Sequence, residues 1–195
     1  RNAAQILNVH AAGKPQLEWV RAVIERNTRD LVRLVDDLLD VSRMVRGQIV
    51  LQKSVVELGE VVRHAVETSR PLIRMRKHRL TVKLPEEPVK LEADLTRLAQ
   101  VLANLLNNSA KYTDEGGEIS VEASAHEGLV MIRVHDNGPG ISPALLPHVF
   151  DMFTQADRTL DRAQGGLGIG LTLVKRLVEM HGGSVEAHSE GPGRG

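Results

Sequence analysis

The sequence predicts an α+β protein in which a helical hairpin precedes a sandwich of helices on one face of a largely antiparallel sheet. Up to Gly47, apolar residues recur at alternating spacings of four and three residues, which is the pattern of a long helix. After Gly47, short alternating segments and amphipathic segments follow one another. We therefore expect two domains, at residues 1–47 and 48–195.

The composition is that of an ordinary globular protein, with 42% hydrophobic and 26% charged residues among 195. Basic and acidic residues number 25 each, so no net charge attracts the chain to nucleic acid or to an anionic membrane. Cys is absent, which excludes a disulfide scaffold and thiolate chemistry. No apolar run reaches the length of a membrane span. We expect a cytoplasmic segment without direct membrane contact, which is compatible with a membrane anchor elsewhere in a longer protein.

The first domain is predicted from a stretch between Gln16 and Arg46 that contains neither Pro nor Gly. A helix of about 30 residues is about 45 Å long, too long to be covered by a small domain, so it requires a partner helix. Residues 1–12 resemble the end of an earlier helix, and Gly13 and Pro15 separate the two. We expect this hairpin to pair with a second copy as a dimeric four-helix bundle; the alternative is a long helix packed within one chain. The seam residues are Val20, Ile24, Asn27, Leu31, Leu34, Leu38, Val41 and Val45.

The second domain is predicted from changes of periodicity along residues 48–195. Asp94 is a candidate N-cap for the helix that follows it, and His126–Gly128 is typical of a hairpin turn. Gly182 and Gly183 are expected to end the last helix. The predicted elements are a strand at 48–54, a helix from 58 that ends within 71–78, a strand at 80–84, a helix at 95–111, strands at 119–123 and 129–134, a helix at 171–180 and a strand beginning at 184–188.

The first chemically suggestive feature is a polar face on the helix at 95–111. Asn104, Asn108 and Lys111 are spaced at i, i+4 and i+7 and therefore share one side. Two carboxamides and an ammonium suit a Mg²⁺-phosphate group, because Mg²⁺ keeps waters and substrate phosphates among its ligands. Taken alone, a solvated polar face explains the same pattern.

Two glycine-containing segments follow. Asp136–Gly140 comes directly after an apolar strand, where a carboxylate can accept a hydrogen bond from an exocyclic amine; an ordinary turn is the simpler interpretation. Gly165–Gly170 precedes the last helix and predicts an anion site at the helix N-terminus. About 25 residues without clear periodicity separate the two segments, a length typical of a functional lid. Phe150 and Phe153 lie in this stretch and are expected to anchor it.

In combination and in this order, four segments resemble the N, G1, F and G2 boxes of the ATP-binding domain of sensor histidine kinases: Asn104–Thr113, Asp136–Gly140, Val149–Phe153 and Gly165–Gly170. The heptad helix resembles the second helix of that family's dimerisation and phosphotransfer domain. The resemblance implies a Bergerat-type α/β sandwich that binds ATP and Mg²⁺. It also implies a final strand beyond residue 195, so we expect one sheet edge to lack its last strand.

The resemblance implies a role for each matching residue in the first box. Asn108 would bind Mg²⁺ with help from Asn104, Lys111 would contact phosphate, and Tyr112 would border the nucleotide.

The remaining boxes imply contacts with the base and the triphosphate. Asp136 would bind the adenine amine, and Gly138 and Gly140 would shape that pocket. Three further glycines would line the triphosphate: Gly166, Gly168 and Gly170.

One departure from the family concerns the phosphoacceptor, which is a His followed by an acidic residue and then by Pro. His10 is followed by Ala11 and Ala12, and it lies too near the hairpin turn. None of the other seven histidines has the acceptor context. We therefore expect the chain to begin downstream of its acceptor.

The predicted function is that of a histidine kinase core that transfers the ATP γ-phosphoryl group to a His outside this chain, for relay to an Asp of a response-regulator receiver domain. Related ATPases carry a general-base Glu where this chain has Asn104, which favours transfer over hydrolysis. One alternative is an ATPase of the same superfamily or an anti-sigma-factor-like serine kinase. The other is a dimeric scaffold with a degenerate nucleotide site. The heptad hairpin argues against the first alternative, and the intact site residues argue against the second.

Overall fold

The structure, a computed structural model, describes residues 48–155 and 168–193, together with 20, 21, 23, 24, 28, 31, 32, 35, 39, 42 and 46. The chain separates into two compact units, Arg1–Gly47 and Gln48–Gly195. No helix in these described ranges is long and apolar enough to span a membrane.

In the first unit, every described residue except Arg46 is helical. Three predicted seam residues are among them, and Val20, Ile24 and Leu31 are all exposed, Leu31 at 62%. The rest of the predicted hairpin lies outside the described residues, including residues 1–19 and the seam positions Asn27, Leu34, Leu38, Val41 and Val45. The hairpin and its pairing into a bundle therefore stay predictions.

The second unit is a mixed α/β sandwich. Its elements are β1 (Ser54–Glu57), α1 (Leu58–Met75), β2 (Arg79–Lys83), β3 (Lys90–Ala93), α2 (Leu95–Tyr112), β4 (Glu118–His126), β5 (Leu129–Asp136), a 3₁₀ turn (Leu146–His148) and α3 (Gly170–Met180).

The strands form two sheets. β1 pairs with β3 in an antiparallel ribbon, and the larger sheet has the order β2-β4-β5. Within it, β4 and β5 are antiparallel, whereas β2 runs parallel to β4. The predicted hairpin turn is confirmed: Glu127 and Gly128 have φ of 50° and 79°, the left-handed pair that a two-residue hairpin loop requires. The hairpin places Asp136 at the end of β5, opposite Ile119 of β4.

The helices cover one face of the larger sheet. The main core joins apolar side chains of α1 and α2 to Ile119 and Val121 of β4. Along β5, exposed and half-buried residues alternate, as expected when only one face of a strand meets the core. A second cluster packs α3 against α2 through Val101, Leu173 and Leu177.

The predicted N-cap of α2 is confirmed. Asp94 Oδ1 accepts from the Arg97 N–H at 3.1 Å, and Oδ2 accepts from the Gln52 N–H at 2.9 Å. The Asp94 N–H donates to His181 Nε2 at 3.1 Å, which ties the start of α2 to the end of α3. Burial alone would raise the pKa of Asp94, but the hydrogen bonds from the Gln52 and Arg97 N–H groups and the positive charge of Arg97 hold it below its usual value.

Several predicted boundaries were wrong. The first strand lies at 54–57 instead of 48–54, because Ile49 and Leu51 pack against the second cluster and pairing with β3 starts only at Ser54. The end of α1 is an exception: it lies at Met75, within the predicted range of 71–78. Residues 184–188 form no strand, and Val185 packs against the second cluster. β3 and the parallel pairing of β2 with β4 were not predicted.

Candidate functional site

The polar face predicted on α2 is present and is partly buried. Asn104 is only 7% exposed, and Asn108 is half-buried. Asn104 Nδ2 is buried and has no hydrogen-bond partner among the described residues. A buried amide without a partner costs about 1–3 kcal/mol, so this group is suited to a polar ligand.

Lys111 and Tyr112 form the last turn of α2. The Lys111 ammonium lies 3.3 Å from the Tyr112 hydroxyl and 4.8 Å from the centre of its ring. Within the described part of the chain, it makes no ion pair with a carboxylate. Lys111 therefore keeps a positive charge that is available to an anion.

The segment after β5 is held rigidly against β4. The Asn137 N–H donates to the Glu118 carbonyl at 3.2 Å, and Asn137 Oδ1 accepts from the Glu118 N–H at 2.8 Å. Asp136 Oδ1 accepts from the Gly138 N–H at 3.0 Å. The second carboxylate oxygen, Oδ2, has no hydrogen bond within the described ranges. Asp136 thus has one oxygen fixed by the backbone and one available to a donor.

Gly138 brings Asp136 close to the end of α2. A Cβ atom on Gly138 would lie 2.7 Å from Asp136 Oδ1 and 3.0 Å from Thr113 Oγ1. No side chain larger than hydrogen fits between these oxygens. Gly140 has a φ of 70°, a backbone conformation that favours glycine.

Thr113 is a polar residue of this region for which no role was predicted from the sequence. It is 2% exposed, and its Oγ1 is buried without a partner among the described residues. Its methyl group faces the other side, since a Cβ on Gly117 would lie 2.3 Å from Thr113 Cγ2. The signal in the sequence was its place at the end of the Asn104–Thr113 segment.

The glycine segment before α3 is described only in part. Gly165 and Gly166 lie outside the described residues. Gly168 has a φ of 71°, and a Cβ there would lie 2.7 Å from the Thr154 carbonyl oxygen. Gly170 is the first residue of α3, and none of the described residues comes within 4 Å of a Cβ built on it. Gly170 therefore leaves open space at the helix N-terminus.

The stretch between the two glycine segments is anchored differently from the prediction. Phe150 is half-buried, whereas the Phe153 ring is 64% exposed. Phe153 is held through its backbone, because its N–H donates to the Gly168 carbonyl at 3.1 Å. This hydrogen bond links the two residues that flank the segment at 154–167.

The groups found here fit a nucleotide with a divalent cation. The described residues offer a carboxylate oxygen for an amine, carboxamides for a cation or its waters, and an ammonium for phosphate. Two buried polar atoms, Asn104 Nδ2 and Thr113 Oγ1, lack partners in the described structure. The structure brings Asp136, Gly138 and Thr113 together directly, and it places α3 beside α2.

Comparison with known proteins agrees with this geometry. Residues 93–195 match the family described as histidine kinase-, DNA gyrase B- and HSP90-like ATPase. The sensor histidine kinase TrcS of Mycobacterium tuberculosis is 35% identical over 180 residues, which cover 90% of this chain and 35% of that protein. The chain spans 11%, 20% and 35% of the length of three curated relatives.

Solved structures share the fold. Full-length ShkA in complex with AMPPNP aligns with a TM-score of 0.75 and 28% identity, over 92% of this chain and 37% of that one. Histidine kinase ThkA, solved in complex with the response regulator protein TrrA, aligns with a TM-score of 0.69 at 22% identity, over 98% of this chain and 53% of that one.

Proposed function

Because this chain belongs to the family of histidine kinase-, DNA gyrase B- and HSP90-like ATPases, we propose that it is the ATP-binding core of a protein-histidine kinase. It transfers the γ-phosphoryl group of ATP to a His outside this chain. The observation that carries the proposal is a set of available polar groups. Asn104 Nδ2 and Asp136 Oδ2 have no hydrogen-bond partner among the described residues, and the Lys111 ammonium contacts the Tyr112 hydroxyl but no carboxylate there.

The base is bound at the Asp136 end of the site. Asp136 Oδ2 accepts from the 6-amine of adenine, while the bond from Gly138 N–H to Oδ1 holds the carboxylate in place. Guanine presents an oxygen at that position and is rejected by the negative charge. Gly138 and Gly140 keep this end free of side chains.

The phosphates are bound along α2 and at the start of α3. Lys111 neutralises phosphate charge, and Tyr112 borders the nucleotide. Asn108, with Asn104, would hold Mg²⁺, which would offset the negative charge of the phosphates during transfer. The glycines that line the triphosphate are Gly166, Gly168 and Gly170.

Transfer to a protein nucleophile is favoured over hydrolysis. A carboxamide cannot remove a proton from water at neutral pH, so Asn104 does not act as a general base. The histidine that accepts the phosphoryl group is supplied by a helical bundle, and an Asp of a response-regulator receiver domain accepts it next. The relative ThkA, which was solved with a response regulator protein, supports that partner.

We further propose that residues 1–47 are the dimerisation hairpin and residues 48–195 the nucleotide-binding domain. Support comes from large apolar side chains of the first unit that are exposed in the single chain, among them Ile24, Leu31 and Val35. Exposed apolar residues at helical spacing are suited to a partner helix.

One experiment tests the phosphotransfer. The chain is incubated with γ-labelled ATP and a separate helical-bundle fragment that carries a His followed by an acidic residue. We expect an acid-labile, base-stable label on the fragment only, and no label when its His is replaced by Gln or when the chain carries Asn108→Ala. Label on a His of this chain would contradict the acceptor assignment, and rapid phosphate release without a labelled fragment would favour an ATPase.

A further inference from the structure

The C-terminal turn of α2 needs hydrogen-bond donors from outside the helix to remain ordered. Lys111 and Tyr112 lie in this turn, and the last four carbonyl groups of a helix have no partners within it. Helix ends without such partners fray, which would move Lys111 away from a bound phosphate. The position of Lys111 therefore depends on what binds these carbonyls.

Three of the four carbonyls are bound from outside the helix. The Thr113 N–H donates to the Ser109 carbonyl at 3.0 Å. His78 Nε2 lies 2.9 Å from the Ala110 carbonyl oxygen, and since a carbonyl only accepts, Nε2 carries the proton. Arg76 Nη2 donates to the Lys111 carbonyl at 2.9 Å.

Both side-chain donors come from the turn that follows α1, more than 30 residues earlier in the sequence. That turn is fixed in its own right. Lys77 has a φ of 56°, and the His78 N–H donates to the Ile73 carbonyl at 3.0 Å, which closes the end of α1. The Arg76 carbonyl accepts from the Gly116 N–H at 2.9 Å, which joins the turn to the chain beyond α2.

We propose that Arg76 and His78 are positioning residues for nucleotide binding: together they cap the last turn of α2 and hold Lys111 where it contacts phosphate. The inference rests on the proposed function for the role of Lys111. The Arg76 guanidinium also places positive charge at the negative end of the helix dipole. Neither residue touches the nucleotide.

The consequence is a selective loss of phosphate contact. Arg76→Met keeps the hydrocarbon stem of the side chain and removes its donors. We expect ATP to bind roughly three- to tenfold more weakly, the effect of losing one helix-capping interaction. Adenosine has no phosphate, so its affinity should stay within about twofold of the unmodified chain.

The matched control is Arg74→Met. Arg74 lies in the last turn of the same helix and is exposed, and its side chain makes no hydrogen bond or ion pair in the described structure. We expect unchanged affinity for both ligands. The variant His78→Gln retains a hydrogen-bond donor and should preserve most of the ATP affinity. The variant His78→Leu has no donor, and its ATP affinity should fall.

A double-mutant cycle tests whether Arg76 acts through Lys111. If it does, Arg76→Met in a Lys111→Met background should cause no further loss of ATP affinity, because the contact that it positions is already gone. Additive losses would overturn the inference, as would equal losses for ATP and adenosine or full ATP affinity in Arg76→Met. If Arg76→Met does not fold, the comparison of His78→Gln with His78→Leu decides.

Different results would contradict the proposed kinase function and the proposed role of Arg76 and His78. An unmodified chain that binds neither adenosine nor ATP would overturn the proposed function together with this inference. Normal ATP binding without phosphotransfer to a bundle fragment would count against the kinase assignment alone and would leave the role of Arg76 intact.

Discussion

Replacement of Gly138 by Ala should disrupt the base end of the site while leaving the rest of the domain folded. The φ of Gly138 lies outside the left-handed region, so the effect comes from neighbouring atoms and not from backbone strain. The added methyl carbon would lie 2.7 Å from Asp136 Oδ1, 3.0 Å from Thr113 Oγ1 and 3.4 Å from Thr113 Cα. Carbon and oxygen separated by 2.7 Å overlap strongly, so the carboxylate must move.

The size of the effect follows from that movement. Displacing the carboxylate breaks or bends its hydrogen bond from the Gly138 N–H and misaligns Oδ2 for the adenine amine. Overpacking of this kind costs about 1–3 kcal/mol of stability. A hydrogen bond to a charged group contributes about 1.5–3 kcal/mol, so adenosine and ATP should both bind about 10- to 150-fold more weakly.

Calorimetric titration of adenosine and ATP, with a thermal unfolding curve for each variant, measures both effects. Gly59→Ala is the control, because the nearest atom to a Cβ there is a flexible Leu84 methyl at 3.8 Å and the position is helical. It should retain full affinity and be slightly stabilised, since Ala is a better helix former than Gly. Adenosine affinity in Gly138→Ala equal to that of the control would refute the assignment of the base site.

Three other variants probe the phosphate site, the cap of α2 and the first unit. Asn108→Ala should weaken Mg²⁺-dependent ATP binding at least tenfold and leave adenosine affinity unchanged by calorimetry; unchanged Mg²⁺ dependence would contradict the metal assignment. Asp94→Asn should lower the free energy of unfolding by about 1 kcal/mol at pH 7, because an amide offers one acceptor where the carboxylate serves two N–H donors. Since the folded protein lowers the pKa of Asp94, this difference should be constant above about pH 5 and decline as the pH falls below about 4. It should be lost once the pH is below the lowered pKa of the folded state, as followed by denaturant titration; a difference independent of pH would contradict it. Leu31→Glu should shift the chain from dimer to monomer in sedimentation without changing ATP affinity, whereas a monomeric unmodified chain would contradict the proposed dimer.

Features of the domain that are determined by residues close together in the sequence were predicted correctly. The cap at Asp94 and the hairpin turn at Glu127 and Gly128 were predicted because each signal lies within a few residues of its effect. β3 was missed because its four residues, Lys90–Ala93, are too few to show a clear alternation of apolar and polar residues. The parallel pairing of β2 with β4 was missed because it depends on how α2, the helix between them in the sequence, packs on the sheet.

The same distinction applies to the candidate site. Asp136 and Asn108 are recognisable in the sequence because each belongs to a local pattern: Asp136 begins the segment Asp136–Gly140, and Asn108 is at helical spacing from Asn104 and Lys111. Arg76 and His78 look like ordinary surface residues after a helix, and only the fold brings their donors to carbonyls at the end of α2.

Thr113 illustrates why a polar side chain cannot be assigned from its type alone. Its hydroxyl would be a solvated cap on most helices, yet here two glycines from different segments leave room for it. Gly117 accommodates its methyl group, and Gly138 leaves the space beside its hydroxyl and beside Asp136 Oδ1. The glycines thus do more than permit turns: by lacking side chains, they set which way Thr113 points. Glycine positions in this domain are therefore constrained by the packing of polar side chains as well as by backbone conformation.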